Sequence, residues 1–132
     1  MKKIRVQTGS RLEMIDITAE VEKAVAELGL EEGVCLVYCP HTTAGLMVNE
    51  HADPDVAADI MAALAGQYPP SRHFRHAEGN ADAHIKAALI GSSVSVPVSG
   101  RRLMLGTWQG IFFCEFDGPR SREVYIQGAG AG

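Results

Sequence analysis

Val34-Cys35-Leu36-Val37-Tyr38-Cys39, closed by Pro40, is the stretch on which the fold turns. It has strand length and is rich in β-branched and aromatic residues, and it carries no charged side chain on either face. Such a run reads as a central strand covered on both sides, by a helix layer or by another subunit. Proline cannot donate to a strand ladder, so Pro40 ends it.

Upstream of this strand, residues 3–8 and 11–17 alternate as two strands joined by a Gly9-Ser10 turn. Thr18 is placed to cap a helix. Val21, Ala24, Val25 and Leu28 then recur at i, i+3, i+4, i+7, the stripe of an amphipathic helix, which Gly29 or Gly33 stops. Downstream, a polar loop is expected from Pro40 to residue 52. Asp53-Pro54 then opens a second helix with stripe residues Val56, Ile60, Ala63 and Leu64. Tyr68-Pro69-Pro70 ends it, residues 71–79 form a loop, and Asn80 caps a shorter helix over 81–90. Val94, Val96 and Val98 alternate as a strand, Ser99-Gly100 turns, and strands follow at about 102–107, 110–117 and 122–127.

The order is β-β-α-β-α-α-β-β-β-β. Strands cluster at both ends with helices between them, which is an α+β signature rather than a doubly wound one. Residues 1–127 form one domain, and Gly128-Ala129-Gly130-Ala131-Gly132 reads as a disordered tail.

Bulk properties narrow the function. The net charge is −4 and no Lys/Arg run exceeds two residues, so the footprint for non-specific nucleic-acid binding is missing. The N-terminus Met1-Lys2-Lys3-Ile4-Arg5-Val6 enters an alternating pattern without an export-type apolar region, and no apolar run spans a bilayer. The expected setting is the cytoplasm, without membrane attachment. Cys35, Cys39 and Cys114 lie in apolar runs without CxxC spacing, which fits buried thiols rather than disulfides or a zinc ribbon. No GxGxxG or P-loop is present.

Two polar islands carry the chemistry. The first, Pro40-His41-Thr42-Thr43-Ala44-Gly45-Leu46-Met47-Val48-Asn49-Glu50, leaves the buried strand and turns at once. His41 can carry a proton or hold a metal, Thr42 and Thr43 offer hydroxyls, and Gly45 allows close approach of backbone to a ligand. The threonines can equally satisfy local backbone groups. The second runs from His73 to Lys86. It gathers His73, His76, His84, Glu78, Asp82, Asn80, Arg75 and Lys86 within fourteen residues. If Asn80 opens a helix, it shares a face with His84, and His76 can reach them from the preceding loop. A histidine pair with a further ligand suits a borderline metal such as zinc. Asp82 also suits a helix N-terminus with no function at all.

A third segment, Gly106-Thr107-Trp108-Gln109-Gly110 and Glu115-Phe116-Asp117-Gly118-Pro119-Arg120, backs these islands. Trp108 reads as a core or interface anchor. Arg120 either grips an oxyanion or pairs with Glu115 or Asp117.

Together these segments resemble the YjbQ-like family of small proteins, often labelled secondary thiamine-phosphate synthases. The resemblance is carried by His41-Thr42-Thr43-Ala44-Gly45, Asn49-Glu50, Asp53-Pro54-Asp55-Val56, Arg75-His76, Glu78-Gly79-Asn80-Ala81-Asp82-Ala83-His84-Ile85-Lys86, Leu105-Gly106-Thr107-Trp108-Gln109 and Glu115-Phe116-Asp117-Gly118-Pro119-Arg120. It implies a β-sandwich bent into a barrel-like shape with flanking helices, and a homotrimer with sites near subunit boundaries. It also implies metal or anion binding through His41, His76 and His84. The implied activity joins hydroxymethylpyrimidine diphosphate to thiazole phosphate and releases pyrophosphate.

On that basis Glu50, Asn80 and Gln109 are the candidate catalytic residues, with Glu50, or His41 if it is not a metal ligand, handling protons and the two amides orienting substrate. Thr42, Thr43, Gly45 and Arg120 are the candidate anion-binding set. A divalent metal at the histidines is expected to be zinc rather than magnesium, because imidazole suits zinc and magnesium prefers oxygen. The expected partner is a small phosphorylated metabolite. The alternatives are a metal-dependent hydrolase of a phosphorylated or acyl metabolite and a non-catalytic trimeric metabolite binder.

Overall fold

The structure is a computed structural model that describes residues 1–71 and 73–131. Two antiparallel sheets and three helices make up an α+β domain. Strands β1 (Lys2–Gln7), β3 (Gly33–Tyr38), β5 (Ser93–Ser99), β6 (Arg102–Leu103) and β8 (Ser121–Gly130) form a five-stranded sheet in the order β1-β8-β3-β5-β6. Strands β2 (Glu13–Asp16), β4 (Ala44–Glu50) and β7 (Gln109–Glu115) form a three-stranded sheet in the order β2-β7-β4. The sheets face each other across the main core. Cys35, Val37, Val96, Val124 and Ile126 from one meet Leu46, Ile111 and Phe113 from the other, with Val21 and Val25 of α1 (Thr18–Leu28).

A second apolar layer lies on the far face of the smaller sheet. Phe112, Cys114 and Phe116 pack there with Ala83 and Ala87 of α3 (Ala81–Ile90), and with Met61 and Leu64 of α2 (Pro54–Gln67). The sandwich is therefore three layers deep on one side only, and that asymmetry decides which strand is covered on both faces.

It is β7, buried on both faces from Gly110 to Glu115. Strand β3 is central in its sheet, between β8 and β5, but only Cys35 and Val37 point inward. Val34, Leu36 and Tyr38 face outward and are exposed by 45%, 37% and 42%. Among the described residues no helix layer covers them, so the helix-layer alternative for this strand is corrected.

Three further expectations change. Residues 44–50 are a strand, not part of a polar loop, because Ala44, Gly45 and Leu46 are buried while the ladder to β7 pairs Ala44 with Glu115 and Glu50 with Gln109. The expected disordered tail is also corrected. β8 runs on to Gly130, with Gly128, Ala129 and Gly130 opposite Cys35, Val34 and Gly33, and Ala131 N–H donates to Glu32 O at 2.9 Å. A ladder needs only backbone groups, which glycine and alanine supply as well as any residue; Gly132 lies outside the described residues. Thr18 is the first residue of α1 rather than its cap. Asp16 supplies the cap acceptor, with its Oδ1 taking the Thr18 N–H at 2.9 Å. Asp53 caps α2 as expected, accepting from Asp55 N–H at 2.9 Å ahead of Pro54.

Candidate functional site

The cavity sits where β3 leaves the large sheet, β4 enters the small one, and the loop before α3 comes across. It measures about 350 Å³ and is lined by His41, Thr42, Thr43, His76, Asn80 and His84, with Glu78, Asp117, Arg120 and Arg122 completing it. Both polar islands thus meet in one place, together with the turn after β7.

Its floor is a buried ion pair. Glu115 is fully buried and Arg122 nearly so. Arg122 Nε donates to Glu115 Oε1 at 2.8 Å, and its Nη2 donates to Glu115 Oε2 and, at 2.9 Å, to Thr43 Oγ1. Thr8 Oγ1 adds a bond to Glu115 Oε1 at 2.8 Å, and the N–H groups of Phe116 and Asp117 reach Oε2 at 3.0 Å. Burial by itself would raise the carboxyl's pKa. The hydrogen bonds from Arg122, Asp117 N–H and Thr8 outweigh it, so the carboxyl stays ionised below the usual range. Gly118 is required beside this pair, since a Cβ there would stand 2.4 Å from Ser10 O and 2.7 Å from Thr8 Oγ1.

His41 is fixed by the neighbouring strand. Glu123 N–H donates to His41 Nε2 at 2.9 Å. An amide can only donate, so Nε2 presents a lone pair and the neutral ring carries its proton on Nδ1. Burial and then the Arg122 charge lower the ring's pKa, which keeps it neutral. His76 and His84 lie edge to face with ring centroids 5.0 Å apart, so the loop histidine does reach the helical one. His41 has spent its Nε2 on Glu123. Among the described residues, no three His, Cys, Asp or Glu side chains converge on a point where one ion would fit. The three rings line one cavity.

Arg120 takes the ion-pair alternative, with Asp117 rather than Glu115. Its Nε donates to Asp117 O at 2.7 Å and its Nη2 to Asp117 Oδ2 at 2.8 Å, while half of its side chain stays exposed to the cavity mouth. Asn80 occupies the N-cap position of α3, but its side chain does not cap the helix. Nδ2 donates instead to Asp117 Oδ2 at 2.8 Å. Asp82 is buried, held by both Arg11 Nη atoms at 3.0–3.2 Å and by Lys86 Nζ at 2.7 Å. This network anchors the first turn of α3 to the loop after β1, and so fixes where Asn80 and His84 stand.

Two expected catalytic residues are elsewhere. Glu50 and Gln109 face each other across the far end of the β4–β7 ladder, a seven-residue strand away from Thr43, roughly 20 Å. Gln109 Oε1 accepts from Gly106 N–H at 2.8 Å and closes its own turn. Gly45 is required by packing, since a Cβ there would come 2.6 Å from Gly91 O. Trp108 is 63% exposed and is no core anchor. Sequence reasoning missed Arg122, which shares the inward face of β8 with Val124 and Ile126, and that period of two was the available signal. It also missed His51, whose Nδ1 lies 2.8 Å from Asp16 Oδ2, at the same end as Glu50. The thiols offer no nucleophile, as burial pushes Cys35 to about 11 and Cys114 to about 12.

Comparison with known proteins agrees with this architecture throughout. A Bacillus subtilis relative, UPF0047 protein YugU, is 52% identical over 128 residues, covering 96% of this chain and 97% of the relative. A UPF0047 protein of Archaeoglobus fulgidus is 44% identical over 126 residues, covering 94% and 97%. The crystal structure of a Clostridium acetobutylicum YjbQ/UPF0047 protein superposes with a TM-score of 0.95 at 47% identity, covering 98% of this chain and 100% of that one. A Sulfolobus solfataricus protein of unknown function gives 0.94 at 36% identity, covering 98% and 96%. A family model described as UPF0047 protein YjbQ-like matches residues 2–131, and the chain belongs to that family.

Proposed function

We propose that the cavity binds a small phosphorylated metabolite, with the oxyanion against the wall made by Arg120, Arg122, His41 and the Thr42–Thr43 turn. The observation that carries this reading is the convergence of two arginines with a histidine whose free ring position is an N–H donor. Guanidinium groups and fixed N–H donors are the groups that recognise phosphate oxygens. Arg122 is immobilised by Glu115 before any ligand arrives, so it costs little ordering on binding.

The reaction we assign to the pocket is the transfer implied by the family resemblance. The carbon–oxygen bond to the diphosphate breaks, the thiazole nitrogen forms the new carbon–nitrogen bond, and pyrophosphate leaves with the electron pair. Charge stabilisation of that leaving group is what such a step needs most, and Arg120 and Arg122 are the residues positioned for it. The attacking ring nitrogen bears no proton, so the one proton transfer in this reading is to the departing pyrophosphate, and His76 and His84 line the cavity to supply it, whereas Glu50 lies at the other end of β4. The outward apolar Val34–Leu36–Tyr38 face supports an assembly of several copies, which in this reading is the homotrimer implied by the family resemblance.

Titration calorimetry with pyrophosphate tests the reading, using Arg120→Lys as the paired variant. A point charge cannot replace a bidentate fork. The expected result is an affinity loss of about tenfold or more with an unchanged urea midpoint. No binding to the wild-type chain, or equal binding by the variant, refutes the anion assignment.

A further inference from the structure

This inference rests on the anion reading of the pocket and concerns what else its ligand carries. One corner of the cavity holds acceptors that lack donors. Asp117 Oδ2 accepts from both Asn80 Nδ2 and Arg120 Nη2, while among the described residues Asp117 Oδ1 accepts nothing. Asn80 is only 9% exposed, lines the cavity, and leaves its Oδ1 without a partner. The amide cannot be turned round to relieve this, because its carbonyl oxygen would then face the Asp117 carboxylate. Nor is Oδ1 spent on α3, although Asn80 occupies the cap position.

A pocket built for bare phosphate alone would not keep an unengaged carboxylate oxygen in its wall, since like charges repel. The same cavity is also lined by donors, on His41, Arg120 and Arg122. The pocket is therefore bipolar.

We infer that its ligand is bipolar too: a phosphate ester that also bears an N–H donor, an amino group or a ring N–H, which Asp117 accepts. Asn80 is the positioning residue. It holds Asp117 in place through Nδ2. Discrimination follows from the chemistry, because an analogue lacking the donor leaves the acceptors unpaired.

The experiment compares 2-aminoethyl phosphate with ethyl phosphate by calorimetry on the full chain, without divalent ions. Ethyl phosphate carries the greater net negative charge and would bind more tightly to a simple cationic site. The expected result is the reverse, a preference for the amine of about tenfold. In Asp117→Asn and in Asn80→Ala the preference falls to about one, with ethyl phosphate still bound. Equal affinities in the wild type, or a preference that survives both substitutions, overturns the inference while leaving the anion reading intact. Ethyl phosphate with magnesium matching the amine's affinity also overturns it, since the corner would then be a cation site. Binding of neither phosphate removes the anion reading itself.

Discussion

Replacing Glu115 with glutamine removes one charge from the floor of the pocket and inverts one hydrogen-bonding atom. Glu115 takes bonds from Thr8 Oγ1, two nitrogens of Arg122 and the N–H groups of Phe116 and Asp117. All of these are donors. A glutamine must point its own NH2 at one set of them, and Arg122 is left buried without its counter-charge. Breaking a buried pair in this way costs about 3–5 kcal/mol. With an unfolding entropy of about 2.1 cal/mol/K per residue over the 132 residues, that corresponds to a Tm drop of roughly 11–18 °C. Differential scanning calorimetry at pH 7 measures it, with Arg120→Met as the control. That residue's pair with Asp117 is half-exposed and contributes about 0–1 kcal/mol. The pH profile supplies a second check. The folded carboxyl's pKa is depressed below the ordinary 4.5, so its contribution is present above that value and is lost as pH falls through the folded pKa. The wild type should lose part of its Tm in that acid range and the variant should lose less of it. A drop of under about 3 °C in Glu115→Gln would show that the pair does not hold the floor together.

Other consequences follow from the same geometry. Nitrogen-15 spectra of the His41 ring should show the proton on Nδ1 and a pKa below 6.5, because burial and Arg122 disfavour its charged form; a ring that titrates at or above 6.5 contradicts the assignment. Asp82→Ala should cost about 3–5 kcal/mol, because Lys86 is left buried without a counter-charge. Lys86→Met should cost clearly less, since Arg11 still neutralises Asp82, and urea midpoints separate the two. Leu36→Glu, on the outward face of β3, should leave the circular dichroism unchanged and bring the light-scattering mass to that of one 14.1 kDa chain; an unaltered assembly would place the subunit contact elsewhere.

The helices were legible in the sequence because their signals are local. The stripe of α1 and the Asp53-Pro54 entry to α2 each depend on a few adjacent residues, and the structure keeps both. Strand β4 was hidden because the polar His41-Thr42-Thr43 precede it and the polar Asn49-Glu50 end it, and because Gly45 breaks the alternation for a reason visible only in three dimensions, the approach of Gly91 O. The continuous apolar run at 34–39 was a true strand signal, but composition cannot say whether the second face meets a helix or nothing in the same chain. β7 shows the same ambiguity with the opposite outcome: Phe112, Cys114 and Phe116 meet α2 and α3. The Gly-Ala stretch looked disordered because side chains carry the sequence signal, whereas pairing with β3 uses only the backbone.

The candidate site was half legible, for a geometric reason. His41 to Glu50 is one continuous polar-flanked motif, and sequence adjacency invites the assumption that it forms one site. An extended chain carries its two ends apart by about 3.3 Å per residue, so β4 delivers Thr43 to the cavity and Glu50 to the opposite end of the sheet. The ladder then brings Gln109 to Glu50 and Glu115 to Ala44, and the third segment is divided in the same way. Each motif therefore serves two places. At one end are His41, Thr43, Glu115, Asp117 and Arg120 with the α3 residues. At the other are Glu50, Gln109 and the Asp16–His51 pair, where His51 N–H also donates to Trp108 O at 2.9 Å. Distant sequence segments that share one strand pair must divide between its ends, and that division is what separates Glu50 from His76 and His84.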